Sequence, residues 1–169
     1  MAAAKEDASG RELHELSDKW VVWAHLPHDT NWTVQSYKRL LGFNTAEDAV
    51  ALYENTPDDV VRNCMLFLMR SHVQPVWEDP ANRDGGCFSF KVPNRSVVTA
   101  WKQLCYAIIG GSVCEDAAVY RDICGATISP KKAFCIIKVW LTNTNHMNPR
   151  VLASITGLSK DGCIFKKHL

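Results

Sequence analysis

Apolar and polar residues alternate along several short stretches of the chain, and Gly, Pro, Asn and Asp separate these stretches. Alternation with a period of two is typical of strands that bury one face, and short unbroken apolar runs fit fully buried strands. The strands predicted on this basis are 20–25, 37–41, 64–69, 87–92, 123–128, 133–142 and 163–166.

Other segments carry the signs of helices. Thr45 fits an N-cap because two acidic residues follow it and apolar residues then recur at helical spacing. Proline is favoured at the first helical position, which predicts a later helix start at Asn148-Pro149. The predicted helices run from Thr45 to before Pro57, from Pro93 to Gly110, and from Asn148 to about Ser159. Because strands and helices alternate and the strands mix apolar with polar residues, we predict a single α+β domain with an antiparallel sheet.

Two predicted loops carry tryptophan. A polar loop at 26–31 leads into Trp32, and a loop at 74–86, rich in Pro, Asn, Asp and Gly, contains Trp77 and Glu78. A single loop tryptophan usually folds back onto the core. Two of them, one beside a carboxylate, favour the binding of a flat ligand or a partner.

The charge balance limits how the chain could bind nucleic acid. Lys and Arg total 19 against 18 Asp and Glu, which gives a net charge of +1. A protein that binds nucleic acid mainly through a basic surface needs a larger excess of positive charge. Any contact with RNA is therefore expected to be local.

Cysteine usage and the chain start indicate the compartment. Seven cysteines, an odd number with no C-x-x-C pair, lie mostly in apolar runs, which predicts free buried thiols in a reducing environment. No signal peptide or membrane-spanning run is recognisable, so we predict a cytosolic or nuclear protein without a membrane partner. Polar composition predicts a disordered tail at 1–12, followed by one domain at 13–169.

The ionisable residues show no arrangement that predicts catalysis. Six histidines are scattered, and neither zinc-ligand spacing nor a Gly-rich phosphate loop is present. Glu78 and Asp79 would point in opposite directions in an extended segment, so Asp79 is expected to brace its own loop. We predict a binding protein with no catalytic residue, cofactor or metal ion.

The order and spacing of these residues resemble a known family, the messenger RNA cap-binding subunit of the eukaryotic initiation complex called initiation factor 4E. The resemblance extends from about His14 to the end of the sequence. Its matching pieces are His14-Glu15-Leu16, Trp20, Trp23, Trp32, Phe43-Asn44-Thr45-Ala46-Glu47-Asp48, Ala51-Leu52-Tyr53, Pro75-Val76-Trp77-Glu78-Asp79, Asn82, Gly85-Gly86, Trp101, Ile109-Gly110, Cys124-Gly125-Ala126 and Trp140. It implies a curved antiparallel sheet with three helices on the convex face and a ligand slot on the concave face.

The resemblance also implies the ligand, which is the 7-methylguanosine cap of capped messenger RNA. Trp32 and Trp77 match the two stacking residues of the family, Glu78 matches the residue that reads the guanine edge, and Trp140 matches the one that touches the added methyl group. Independent chemistry agrees, because a positively charged methylated base between two indole rings gains stacking and cation–π attraction. For Trp140 alone, a core role on its strand is an equal alternative.

The phosphate-binding residues differ from the family pattern. Where the family has an arginine after the Gly-Gly pair this chain has Cys87, and where it has a second basic residue the chain has Ile136. Lys131 keeps a matching position. Strand alternation puts Lys138 on the same face as Trp140, so Lys138 or Lys132 could assist Lys131. A solvated lysine at a strand edge is the alternative for either.

A second surface is implied for a scaffold initiation factor or a regulatory binding protein, on the convex helical face. Where the family has a proline and a tryptophan on this surface, this chain has Glu15 and Val50. Where the family has two further apolar contacts, this chain has Lys102 and Tyr106. An aromatic anchor often supplies much of an interface's energy, so its loss predicts an altered docking surface. The residues expected on that surface are His14, Leu16, Val50 and Tyr106.

Three roles are compatible with these residues. The chain could bind capped messages in translation initiation, or it could sequester the cap as a repressor or storage factor. A third alternative is a protein-interaction module that keeps the fold and has lost cap binding.

Overall fold

Seven antiparallel strands form one large sheet in the structure, a computed structural model that describes residues 5–168. In spatial order they are β4 (Tyr37–Thr45), β3 (Glu15–His25), β5 (Met65–Arg70), β7 (Ile123–Pro130), β8 (Phe134–Leu141), β6 (Gly86–Pro93) and β9 (Ile164–Lys167). Every neighbouring pair is antiparallel. This confirms the α+β class with an antiparallel sheet.

The helices pack against one face of this sheet. They are α1 (Ala46–Asn55), α2 (Asp58–Asn63), α3 (Asn94–Ile109) and α4 (Ala117–Asp122). Helix α1 begins as predicted, because the Thr45 hydroxyl accepts a hydrogen bond from the Asp48 amide at 3.2 Å. Trp101 on α3 is buried in the core. No helix among residues 5–168 combines the length and apolar character of a membrane span.

The two faces of the sheet bury different sets of side chains. On β5, Leu66 and Leu68 belong to the main core beneath the helices. The alternate residue Phe67 faces the other way, into a smaller apolar cluster that includes Cys87 and Trp140. Alternation along each strand therefore gives the sheet a second apolar face, away from the helices.

The predicted helix from Asn148 to Ser159 is wrong. Only a 3₁₀ turn, Pro149–Val151, forms there, although Asn148 caps it by accepting from the Arg150 amide at 3.0 Å. Beyond this turn, the amide of Ala153 donates to the Val113 carbonyl at 2.7 Å, so it is not available for a helical bond. Tertiary hydrogen bonds thus overrode the local signals. The structure adds the short helices α2 and α4, which the sequence pattern did not indicate.

A two-stranded hairpin precedes the large sheet, where the sequence predicted a disordered tail. Its strands are β1 (Lys5–Glu6) and β2 (Glu12–Leu13), and residues 1–4 of the predicted tail lie outside the described residues. The carboxylate of Asp7 holds the turn by accepting from the amides of Ser9 and Arg11 at 2.8 and 3.0 Å.

His14 joins this N-terminal segment to the start of α1. Its ring Nδ1 lies 2.6 Å from Glu47 Oε1, and its amide donates to Glu47 Oε2 at 3.0 Å. The hydrogen bond to Glu47 and the charge of its carboxylate raise the pKa of His14. The same contact lowers the pKa of Glu47.

The two pKa shifts define where this ion pair stabilises the fold. The His14 contribution is present below the ordinary histidine pKa of 6.5 and is lost as the pH rises through the raised pKa. The Glu47 contribution is present above the ordinary pKa of 4.5 and is lost as the pH falls through the lowered pKa. The pair therefore acts fully in the weakly acidic range between those two ordinary values.

A titration of the His14 ring by NMR is expected to give a midpoint above 6.5 in the wild type. Glu47→Gln should lower that midpoint, because it removes the hydrogen-bonded carboxylate. Glu12→Gln is the matched control, since the Glu12 charge contributes least to the raised pKa. An unchanged midpoint in Glu47→Gln would show that the pair does not form in solution.

Candidate functional site

A cavity of about 430 Å³ opens on the sheet face that lies away from the helices. Its walls come from the two tryptophan loops and from strands β4, β5, β7 and β8, and a cavity of this size suits a small ligand. The residues that line it are Trp32, Tyr37, Met65, Phe67, Val76, Trp77, Glu78, Thr127, Ser129, Lys138 and Trp140. Two loops that are distant in sequence therefore meet at one aromatic site.

Trp32 is 55% exposed and is held by the histidine behind it. The His25 ring stacks on the indole, with ring centroids 4.1 Å apart and planes 4° from parallel. His25 is itself buried and fixed, because its Nε2 lies 2.8 Å from the Asn31 carbonyl oxygen and 3.1 Å from the Ser36 hydroxyl. One face of the indole is covered in this way, which leaves the opposite face for a ligand.

Trp77 is 49% exposed and also has a histidine beside it. The His168 ring lies nearly parallel to the indole, 9° apart, at a centroid distance of 6.2 Å. The ring centroids of His168 and Trp140 are 4.7 Å apart, and the Nδ1 of His168 lies 2.8 Å from the Asn82 carbonyl oxygen. Burial lowers the pKa of His168, which keeps the ring neutral at neutral pH. His168 thus supports two site tryptophans from one position.

Two polar side chains fold the loop that carries Trp77. The Asp79 carboxylate accepts from the amides of Gln74 and Ala81 at 2.9 and 2.8 Å, so Asp79 braces its own loop as predicted. The side-chain amide of the buried Asn82 donates to the backbone carbonyls of Gln74 and Val76 at 2.9 and 2.8 Å. These four hydrogen bonds hold the loop in shape without using its indole or the carboxylate of Glu78.

Glu78 presents a free carboxylate to the cavity. Neither an ion pair nor a side-chain hydrogen bond joins it to any other residue of the described range 5–168. It lies close enough to Tyr37 to add its charge to the effect of burial, and together they raise the pKa of Tyr37 to about 12. Its two oxygens are therefore available to accept hydrogen bonds from a ligand.

Trp140 forms the floor of the cavity and also belongs to the small apolar cluster. It is 3% exposed, and its Nε1 donates to the Thr127 hydroxyl at 3.3 Å. The sequence predicted either a ligand contact or a core role for Trp140. Its position is compatible with both, because a core residue on this sheet face also lines the cavity.

The three lysines predicted near the phosphates are in two different places. Lys138 lies two residues from Trp140 on the same strand face and lines the cavity. Lys131 and Lys132 are exposed in the turn between β7 and β8, where the Lys131 amide donates to the Phe134 carbonyl at 2.8 Å, and neither lines the cavity. Lys138 is therefore the predicted cation that the fold brings to the aromatic site.

A second cavity, also of about 430 Å³, lies beside the N-terminal hairpin. It is lined mainly by polar and charged residues such as Lys5, Glu15 and Asp18, and it contains no Trp, Tyr or Phe. In the described range, His, Cys, Asp and Glu form no group of three that could hold a metal ion. The aromatic cavity is thus the better candidate for binding an organic ligand.

A comparison with protein families matches residues 15–161 to the model for eukaryotic initiation factor 4E. The chain belongs to this family. The initiation factor 4E family consists of binding proteins without catalytic activity. Among its members, the translation initiation factor 4E of Eremothecium gossypii is 29% identical over 163 residues, covering 92% of this chain and 71% of the relative. The Homo sapiens factor is 29% identical over 140 residues, covering 79% of this chain and 63% of the relative.

Solved structures of initiation factor 4E share the fold. The Schistosome protein, solved in complex with m7GpppG and 4E-BP, superposes with a TM-score of 0.73 at 26% identity, covering 82% of this chain and 77% of that one. The 4E-3 protein of C. elegans, solved with the 4E-binding protein Mextli and a cap analogue, gives a TM-score of 0.70 at 25% identity, covering 82% and 79%. These likenesses agree with the curved sheet that the sequence resemblance implied.

The predicted partner residues of this family member lie away from the cavity. Val50 on α1 is 50% exposed, whereas Leu16 packs partly against the main core. On α3, Lys102 and Tyr106 both bond the Glu54 carboxylate, at 3.2 and 3.0 Å. Burial and the bond to Glu54 raise the pKa of Tyr106 to about 12. The outer helical face therefore combines one exposed apolar residue with a fixed polar cluster.

Sequence reasoning missed the two histidines that support the tryptophans. Both lie next to features that the pattern did indicate, since His25 ends β3 just before the first tryptophan loop and His168 follows the last strand. No local motif marked them, because each meets its tryptophan through the fold. The family resemblance likewise pointed to the exposed rings and not to the residues behind them.

Proposed function

We propose that this chain binds the 7-methylguanosine cap of messenger RNA and acts in translation initiation. The observation that carries the proposal is the pair of half-exposed indoles, Trp32 and Trp77, which line one cavity together with the free carboxylate of Glu78. Two half-exposed indole rings with a histidine behind each are suited to holding a flat ligand.

The ligand's chemistry fits these groups. Methylation at N7 gives guanine a delocalised positive charge, and a cation over an indole face gains attraction of about 0.5–2 kcal/mol. Stacking adds about 1–3 kcal/mol per base on an aromatic ring. Guanine also presents two N–H donors on one edge, which a single carboxylate such as Glu78 accepts as charge-assisted hydrogen bonds.

The amides of the tryptophan loop supply a further contact. Neither the Trp77 nor the Glu78 amide donates a hydrogen bond to another residue of the described range. The guanine O6 lies beside the two donors that Glu78 would read, so one of these amides can donate to it. A carbonyl acceptor met in this way separates guanine from adenine, which has an amino donor at that position.

A protein partner on the outer helical face is part of the same proposal. The exposed Val50 and the Glu54–Lys102–Tyr106 cluster supply apolar and polar contacts on a face that leaves the cavity open. A scaffold bound there would make the chain recruit capped messages, whereas a regulatory protein bound there would make it sequester them.

Capped RNA tests the proposed function directly. A short RNA that begins with a 7-methylguanosine cap is expected to bind, and free 7-methylguanosine triphosphate should release it while guanosine triphosphate should not. The same RNA with an uncapped 5′ triphosphate is the matched ligand. Equal binding of the two RNAs would show that the chain does not recognise the cap and would leave the interaction module that has lost the ligand.

A further inference from the structure

Beside the aromatic cavity lies a basic residue that the sequence pattern did not indicate. Strand β9 pairs with β6, and Lys166 stands directly opposite Cys87, which in turn stands opposite Trp140 on β8. Directly paired residues of antiparallel strands project on the same face of the sheet. Lys166 therefore shares the face of Trp140, two strands away, or roughly 10 Å at the usual strand spacing.

Lys138 approaches the same position from the other side. It pairs with Ser89, two residues along β6 from Cys87, and it lines the cavity. The positive charges of Lys138 and Lys166 both act on the Cys87 thiol, because each opposes the rise in its pKa that burial causes. The uncharged Cys87 thus has one ammonium group on either side.

Strand β9 holds Lys166 firmly in this register. A Cβ atom on Gly86 would lie 2.5 Å from the Lys166 carbonyl oxygen, so only glycine permits the two strands to approach so closely. Phe165 packs edge-on against Phe88 at 5.2 Å, and the His168 amide donates to the Gly85 carbonyl at 3.0 Å. The residues before and after Lys166 in the sequence are thus held in place, while the Lys166 side chain is exposed.

Neither lysine is neutralised within the part of the chain that the structure describes. Among residues 5–168, no Asp or Glu oxygen lies within 4.0 Å of the ammonium group of Lys138 or Lys166. Two unpaired cations held on one side of an aromatic site favour an anionic extension of the ligand. A nucleoside triphosphate has such an extension, since its charge lies on one side of the base.

We propose that Lys166, together with Lys138, forms the clamp for the cap's phosphates, with one lysine on each side of the uncharged Cys87. This inference rests on the proposed function and assigns its phosphate-binding residues. Lys166 contributes through its charge, and base recognition remains with the tryptophans and Glu78.

Binding of two ligands separates these contributions. Lys166→Gln is expected to weaken the binding of 7-methylguanosine triphosphate about five- to tenfold at low salt, because the exposed ammonium group makes a contact that solvent partly screens. The affinity of the Lys166→Gln variant for the triphosphate should fall less steeply with added salt than that of the wild type. Binding of the 7-methylguanosine nucleoside, which has no phosphate, should be unchanged. Lys166→Arg should keep the wild-type affinity for both ligands.

Lys167→Gln is the matched control, because it removes the same charge from the next residue, which projects on the opposite face of β9. If Lys166→Gln and Lys167→Gln bind the triphosphate equally well, Lys166 is not in the clamp. An equal loss for the nucleoside and the triphosphate would assign Lys166 a structural role and overturn the proposal. A wild-type chain that fails to prefer the methylated nucleotide would overturn the proposed function itself, and the clamp with it.

Discussion

Glu78→Ala is expected to weaken the binding of 7-methylguanosine triphosphate by about 1.5–3 kcal/mol, or roughly 10- to 150-fold. The variant removes the acceptor for both N–H donors on the guanine edge, and it leaves them without a charged partner. The stability of the fold should change little, because the carboxylate has no partner among residues 5–168. Isothermal titration calorimetry and urea unfolding measure the two effects separately.

Glu115→Ala is the control for this variant. Glu115 is also exposed and acidic, but it lies in the segment before α4 and does not line the cavity. The Glu115→Ala variant should bind the nucleotide with the affinity of the wild type. If both variants bind equally well, the guanine edge is not read by Glu78.

Trp77→Ala is expected to cost about 1–3 kcal/mol of binding free energy, or roughly 5- to 150-fold in affinity. The change removes one of the two aromatic faces, and the methylated base loses the stacking and cation–π attraction of that indole. Trp77→Phe keeps an aromatic face with a weaker quadrupole, so its affinity should fall between those of the wild type and the alanine variant. Titration of each variant with 7-methylguanosine triphosphate measures the series.

Unmethylated guanosine triphosphate is the matched ligand for this series. It lacks the positive charge, so the loss caused by Trp77→Ala should be smaller for it than for the methylated nucleotide. An equal loss for both nucleotides would show that the indole contributes only apolar contact. Full affinity in Trp77→Ala would remove Trp77 from the site.

Much of the fold and of the aromatic site could be predicted from the sequence because the signals are local. Period-two alternation marked the strands of the sheet, and the loop composition around Trp77 marked it as exposed. Glu78 could be predicted because it is adjacent to Trp77. Lys138 could be predicted because strand alternation puts it on the face of Trp140. Both residues line the cavity. Each inference needed only residues close in sequence.

Non-local pairing explains what the sequence could not reveal. Lys166 shares the sheet face of Trp140 because the edge strand β9 pairs with β6, which puts Lys166 opposite Cys87. His168 reaches Trp77 through the same strand. The predicted helix after Pro149 failed for a related reason, because the Ala153 amide is bonded to distant Val113. Lys131, by contrast, was chosen because it matches the family pattern, and it lies with Lys132 in a turn outside the cavity lining.

The central claim is that two indoles hold a methylated, positively charged guanine, and tryptophan fluorescence tests it most directly. Adding 7-methylguanosine triphosphate should quench the emission of Trp32 and Trp77 strongly and saturably, because both rings would stack on the base. Guanosine triphosphate at the same concentrations should quench far less. Equal quenching by the two nucleotides, or none by either, would contradict the account.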